Sequence, residues 1–162
     1  MMRQFSAGGV VYKREKGRVL WLLRKGALNP DFPGSGDWSL PKGWLDDEEG
    51  DKPGPMTLGK KRATKTQLEE AAIREVREET GVDVRVIERA GEVKFFFVNR
   101  DKERVFKTVI FFLMKHIADL PEGYGWETEE VKWVDKEEAK GLLGKRKDEA
   151  EMIVKAERMI RV

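Results

Sequence analysis

The sequence has no cysteine and a single histidine, His116. Disulfides, thiol catalysis and cysteine-ligated zinc are therefore excluded, and neither a histidine metal cluster nor a Ser-His triad can be built. Any metal bound here must be held by oxygen, which points to magnesium, manganese or calcium. A strong charge excess is missing too: 32 Lys and Arg stand against 30 Asp and Glu, a formal net charge of +2. A dedicated nucleic-acid binder carries a clear basic excess, so no stable nucleic-acid partner is expected. No apolar run approaches the length of a membrane span and no signal-peptide pattern opens the chain, so no membrane partner and a cytoplasmic location are expected. What is present is 162 residues, 40% hydrophobic and 38% charged, enough for one domain around one core. A monomer and a homodimer fit equally well.

Patterning along the chain supplies the elements. Phe5 to Tyr12 reads as a strand broken by Gly8 and Gly9, and Arg18 to Lys25 as a second strand around the apolar run Val19 to Leu23. Gly26 to Asp37, with Pro30, Pro33, Gly34 and Gly36, is a loop. After Trp38 to Leu45 comes an irregular stretch, Asp46 to Thr66, expected to be mobile; it holds Gly50, Pro53, Gly54, Pro55, Gly59 and the basic cluster Lys60, Lys61 and Arg62. Thr66 is the expected N-cap of a helix from Gln67 to about Thr80, with Gly81 as its stop. Val82 to Val98 and Arg104 to His116 are predicted long strands joined by a turn near Asn99 to Lys102. Val131 to Val134 is a short strand, Asp135 caps a helix to about Leu143, and Lys147 to Met159 is a final amphipathic helix. Strands, helix, strands and helices in that order describe a mixed α/β layered fold.

On the predicted helix Glu75, Glu78 and Glu79 project within an arc of roughly 100°, on one face. Like charges three and four residues apart weaken a helix by a few tenths of a kcal/mol per pair. The three glutamates read either as a solvated face with Arg74 and Arg77 as partners, or as a hard-oxygen site for a divalent cation.

The surrounding residues carry a resemblance. Arg74-Glu75-Val76-Arg77-Glu78-Glu79-Thr80-Gly81-Val82 is similar to the second half of the Nudix box, R-E-U-x-E-E-x-G-U with U apolar. Leu40-Pro41-Lys42-Gly43 resembles the glycine turn that opens the box, and Gly43 followed by five residues and Glu49 fits its first half. Ser6 to Val11 resembles the family's first strand, and Glu129 to Val134 followed by Glu137-Glu138-Ala139 its late strand and helix. The likeness spans nearly the whole chain. One departure stands out: 24 residues separate Glu49 from Arg74 where the family has seven. The box is thus split by an insertion at about 50–66, and counting back from Arg74 places Thr66 where the glutamate is expected. The insertion reads either as a substrate lid carrying Lys52, Lys60, Lys61 and Arg62 or as a surface loop.

The resemblance implies a single Nudix domain over 1–162, an α/β/α sandwich around a mixed β-sheet, and hydrolysis of a pyrophosphate linkage with Mg2+, with Mn2+ as a substitute. By resemblance Glu75, Glu78 and Glu79 ligate metal together with main-chain oxygen at the Lys42-Gly43 turn. Arg74 orients a helix glutamate. Glu127, six residues before Trp133, is the candidate further carboxylate among Glu127, Glu129 and Glu130, with a solvated loop glutamate as the alternative. Trp38-Ser39-Leu40-Pro41-Lys42-Gly43 resembles the entry of the diadenosine tetraphosphate hydrolase branch, which makes Trp38, Lys42, Lys107, Phe95 and Phe97 substrate-binding candidates. The implied partner is a small nucleotide, first diadenosine tetraphosphate cut to ATP and AMP. Nucleoside di- or triphosphates, RNA 5′ ends and a silent nucleotide-binding regulatory role are the alternatives. Phe111, Phe112, Trp21 and the apolar side of the last helix read as core, and His116 as a strand-end surface residue.

Overall fold

The structure, a computed structural model, describes residues 1–31, 35–49 and 51–160. Pro33, Gly34 and Gly50 of the predicted loops lie outside the described residues. In chain order the elements are β1 (Met2–Glu15), β2 (Arg18–Gly26), β3 (Trp38–Ser39), β4 (Lys42–Trp44), β5 (Asp47–Glu48), β6 (Lys52–Pro53), α1 (Lys65–Thr80), β7 (Val82–Val98), β8 (Arg104–Asp119), β9 (Thr128–Val134), α2 (Lys136–Leu143) and α3 (Lys147–Ile160). The main sheet runs β3-β2-β1-β8-β7, with β4 added to β1 and β9 to β2. β1 and β8 are parallel and the other pairs antiparallel, so the sheet is mixed.

Alternation along the strands sends two apolar sets to opposite faces. Ala7, Val11, Leu22, Ile110, Phe112 and Met114 pack under α1, against Ala71, Ala72 and Val76. Val10, Tyr12, Trp21, Leu23, Phe111 and Leu113 pack under α2 and α3, against Ala139, Leu143, Met152, Ile153 and Ala156. The result is the expected α/β/α sandwich. Trp21, Phe111 and Phe112 are fully buried, each stabilising the fold by roughly 1.5–3 kcal/mol through removal from water.

Three expectations change. β1 is continuous through Gly8 and Gly9. The glycines serve close packing instead of breaking the strand: a Cβ on Gly8 would lie 2.3 Å from the Pro41 carbonyl oxygen, and one on Gly9 would lie 2.7 Å from Val76 Cγ2. The N-cap of α1 is Thr64, not Thr66. Thr64 Oγ1 accepts from Gln67 N–H at 3.1 Å and Gln67 Oε1 accepts from Thr64 N–H at 2.9 Å, a reciprocal capping box. Finally, the stretch from Asp46 is organised, beginning with the β5–β6 hairpin. The buried Thr57 donates its hydroxyl to the Asp46 carbonyl, and the Asp46 carboxylate accepts from the Met56 and Thr57 N–H groups at 3.0 and 2.9 Å. Thr57 O accepts from Phe5 N–H at 2.8 Å, so the insertion is tied to the start of β1. Lys52, Lys60, Lys61 and Arg62 are exposed on it. Gly81 ends α1 as expected, at φ 71°.

Candidate active site

The carboxylates of α1 do not share one environment. Glu75 and Glu79 turn toward the sheet, with side chains only 14% and 10% exposed, whereas Glu78 is 59% exposed. Glu75 lies under the glycine turn: a Cβ on Gly43 would sit 2.2 Å from the Glu75 carboxyl carbon. Only glycine lets the main chain come so close. Glu79 Oε1 accepts from Lys42 N–H at 2.9 Å and stands 3.7 Å from Arg24 Nε. Burial pushes Glu75 up to about 8, with the like charges of Glu79 and Glu78 adding to the rise, Arg74 opposing it, and Glu127 adding further. Burial also raises Glu79, against the pull of Arg24 and of the Lys42 N–H and ammonium.

Arg74 fixes the turn more than it orients a glutamate. Its Nη2 donates to Trp44 O at 2.8 Å and Leu45 O at 3.3 Å, while its approaches to Glu75 and Glu78 are longer, 3.7 and 3.9 Å. β4 itself is held in the sheet, with Lys42 opposite Gly8 and Gly43 opposite Ala7.

The late loop reaches the same place. Gly125 N–H donates to Glu78 O at 2.8 Å, and Leu120 N–H donates to Gly81 O at 2.8 Å, so the loop is fastened to the end of α1. The charge of Glu127 acts on both Glu75 and Glu79. Its carbonyl accepts from Arg24 Nη2 at 2.7 Å and from Ala27 N–H at 2.9 Å.

Lys107 lies on the α2/α3 side of the sheet, opposite Gln4 of β1 and Phe95 of β7. Burial and the nearby Lys42 push it down to about 8, against the pull of Glu79 and Glu75. Its Nζ is 6.0 Å from the Phe97 ring centre, and Phe97 is 6.2 Å from Phe95. Phe96 points the other way, against Phe106 at 4.8 Å. Phe95 is partly taken up by the core, as is Trp38.

The fold thus gathers Lys42, Gly43, Glu75, Glu79, Glu127, Lys107 and Phe97. It does not gather Glu49, which is exposed in the β5–β6 hairpin. His116 sits at the strand end, bonded to Asp119 at 2.8 Å. Three further residues join this cluster, two of them, Arg24 and Thr128, without any local sequence signal of a site. Arg24 ends an apolar strand. Thr128 links Arg24 (Nη2 donates to its Oγ1 at 3.0 Å) to Glu79 O, to which its hydroxyl donates at 2.8 Å. Glu149 accepts from Leu40 N–H and from Lys42 Nζ, and its one legible sign is an acid on the apolar face of α3.

Among the described residues no three carboxylates already converge as a closed metal cage. The donor chemistry nevertheless fits a hard cation. Glu75 and Glu79 are acidic, largely buried and mutually repelling, and a divalent cation on oxygen ligands relieves that cost.

The site is thus a buried acidic helix under a glycine turn, set in a mixed-sheet α/β/α sandwich. A family profile described as NUDIX domain matches residues 2–155, and the chain belongs to that family, whose hydrolases generally use divalent metal ions. A Mycobacterium tuberculosis relative designated mutator protein MutT4 is 36% identical over 97 residues, 60% of this chain. The chain spans about a third of that relative's length, 32%. An Ap4A hydrolase from C. elegans superposes with a TM-score of 0.64 at 22% identity, covering 99% of this chain and 100% of that one. The NUDIX domain of Shewanella oneidensis NrtR, solved with ADP ribose, superposes at 0.69 and 16%, covering 99% and 90%. The MutT protein from Methanosarcina mazei Go1 superposes at 0.60 and 24%, covering 99% and 97%. At such identities the structures speak for the fold alone. No helix among the described residues is long and apolar enough to cross a membrane.

Proposed function

We propose that the protein hydrolyses a pyrophosphate linkage of a nucleoside polyphosphate in a Mg2+-dependent reaction, with diadenosine tetraphosphate, cut to ATP and AMP, as its substrate. The observation that carries this reading is the pairing of opposites at one turn. Glu75 and Glu79 lie beneath Gly43 and Lys42, while the half-buried cation Lys107 and the Phe97 ring stand alongside. The acidic half suits a cation and the basic, aromatic half suits a polyphosphate carrying a base.

Glu75, Glu78, Glu79 and main-chain oxygen of the Lys42–Gly43 turn would hold Mg2+, and Mn2+ suits the same oxygens. A bound divalent cation supplies charge neutralisation and Lewis-acid polarisation at the phosphoryl group. The chain's own residues do the rest. Lys42 and Lys107 neutralise phosphate oxygens, and Phe97, backed by Phe95, offers a face for a base. Glu127 takes the proton of the attacking water as the new P–O bond forms and the anhydride P–O bond breaks. The turn and α1 hold these groups in one geometry.

A second reading, nucleoside triphosphate cleanup, is favoured by the 36% identity to the mutator protein. Removal of pyrophosphate from RNA 5′ ends is another outcome to be tested, and the ADP-ribose complex of NrtR keeps a binding-only role in view. The test is a cleavage panel with Mg2+ or Mn2+, with products resolved by anion-exchange chromatography: diadenosine tetraphosphate, ADP-ribose, GDP, dGTP, 8-oxo-dGTP and triphosphorylated RNA at equal concentration. Diadenosine tetraphosphate should rank first. A simple nucleotide ranking far above it would overturn the substrate, and no cleavage of any substrate would overturn the activity.

A further inference from the structure

Glu149 is an ionisable side chain that the mechanism above does not use. It lies in the first turn of α3, on the same face as Met152, Ile153 and Ala156, and is only 5% exposed. A buried carboxylate costs several kcal/mol unless paired, and an apolar residue would fit that face without the cost. Both hydrogen bonds of Glu149 lead to one place. Its Oε1 accepts from Leu40 N–H at 2.7 Å, and its Oε2 accepts from Lys42 Nζ at 2.9 Å and stands 3.5 Å from Arg146 Nη1. Leu40 and Lys42 flank the approach to Gly43.

The turn is therefore held from both sides of the sheet. From the α1 side, Glu79 takes Lys42 N–H and Arg74 takes the carbonyls of Trp44 and Leu45. From the α3 side, Glu149 takes Leu40 N–H and the Lys42 ammonium. Gly43 has no slack against Glu75, so a small shift of the turn changes the distance between its main chain and the acidic pair. Glu149 also supplies the anion that lets Lys42 stand near Lys107, two cations that otherwise repel.

We infer that Glu149 is a positioning residue of the active site, fixing the glycine turn and aiming Lys42 from the face of the sheet opposite α1. This rests on the reading that the turn takes part in cation and phosphate binding. It acts through Lys42 and the main chain, and touches no substrate.

The experiment measures Mn2+ binding directly, by loss of the free-ion electron paramagnetic resonance signal, alongside kcat and KM. Glu149→Gln keeps an acceptor for Leu40 N–H and removes the charge. It should weaken Mn2+ about 10-fold and lower kcat more than it raises KM, the scale typical of residues that support metal ligands. Lys42→Met should produce a similar loss, and the double variant should be little worse than either single one. Glu149→Asp, which keeps the charge and withdraws it by one methylene, provides a second folded variant and should share the loss. Wild-type Mn2+ affinity in Glu149→Gln or Glu149→Asp overturns the proposal, as does a lower melting temperature with affinity unchanged. If the wild type binds Mn2+ yet hydrolyses no nucleotide, the proposed reaction fails while the Mn2+ comparison still decides the role of Glu149.

Discussion

Glu75, Glu78 and Glu79 share a residue type, a helix and a face, yet they differ in what surrounds them. Glu78 stays in water, Glu75 is sealed beneath Gly43, and Glu79 is engaged by Lys42 and Arg24. Glu127 arrives from a loop 48 positions beyond Glu79 in the chain, and its negative charge adds to the strain on both buried glutamates. Placed there and exposed to water, it is suited to accept a proton. Glu127→Gln should lower turnover at least about 10-fold, toward the 10²–10⁴-fold typical of a general base, with little change in KM. Steady-state kinetics on the preferred substrate checks this, and unchanged kcat removes Glu127 from the mechanism. The pattern of acids on α1 was legible in the sequence; their unequal burial was not, because burial depends on the turn and loop that cover each one.

At the scale of elements, the insertion shows how a composition-based reading goes wrong. Pro, Gly and Lys between 50 and 62 resemble a mobile loop, and no periodicity marks structure there. Order comes instead from a local polar knot: Asp46 caps Met56 and Thr57, and Thr57 hands its carbonyl to Phe5. Such side-chain-to-backbone bonds need residues ten positions apart to meet. Asp46→Ala leaves the Met56 N–H and the buried Thr57 N–H without their carboxylate acceptor, and should cost about 1–3 kcal/mol, read as a lower midpoint in urea unfolding. No shift would mean that the insertion folds independently of the body. The helix start shows the same limit on a smaller scale. Both Thr64 and Thr66 are followed three residues later by a capping partner, Gln67 or Glu69, and only the path of the chain into α1 selects Thr64.

For the whole molecule, the buried acid couples the site to folding. Folded Glu75 holds its proton up to about 8, against an ordinary value of 4.5. The metal-free protein therefore loses stability as pH rises from about 4.5 to 8, because the folded state must give up a proton that it binds more tightly than the unfolded chain does. Glu75→Gln should flatten that slope and stabilise the metal-free protein at pH 8 by roughly 2–4 kcal/mol. Saturating Mg2+ should stabilise the wild type at pH 8 and the variant, which lacks one ligand, much less. Thermal unfolding at pH 5 and pH 8, with and without Mg2+, measures all four cases, and a wild type equally stable at both pH values without metal would refute the coupling. The same division runs through the whole protein. The sequence alone determined the layered α/β class, most element bounds, the apolar faces and the box residues from Arg74 to Gly81, because these depend on spacing and local chemistry. Only the tertiary structure decided that Gly8 and Gly9 are contact points, that Arg24, Thr128 and Glu149 join the site, that Glu49 stays in an exposed hairpin, and that Lys42 is held from both faces of the sheet. Those facts depend on which distant segments share a few cubic ångströms, and no local pattern of residues records that.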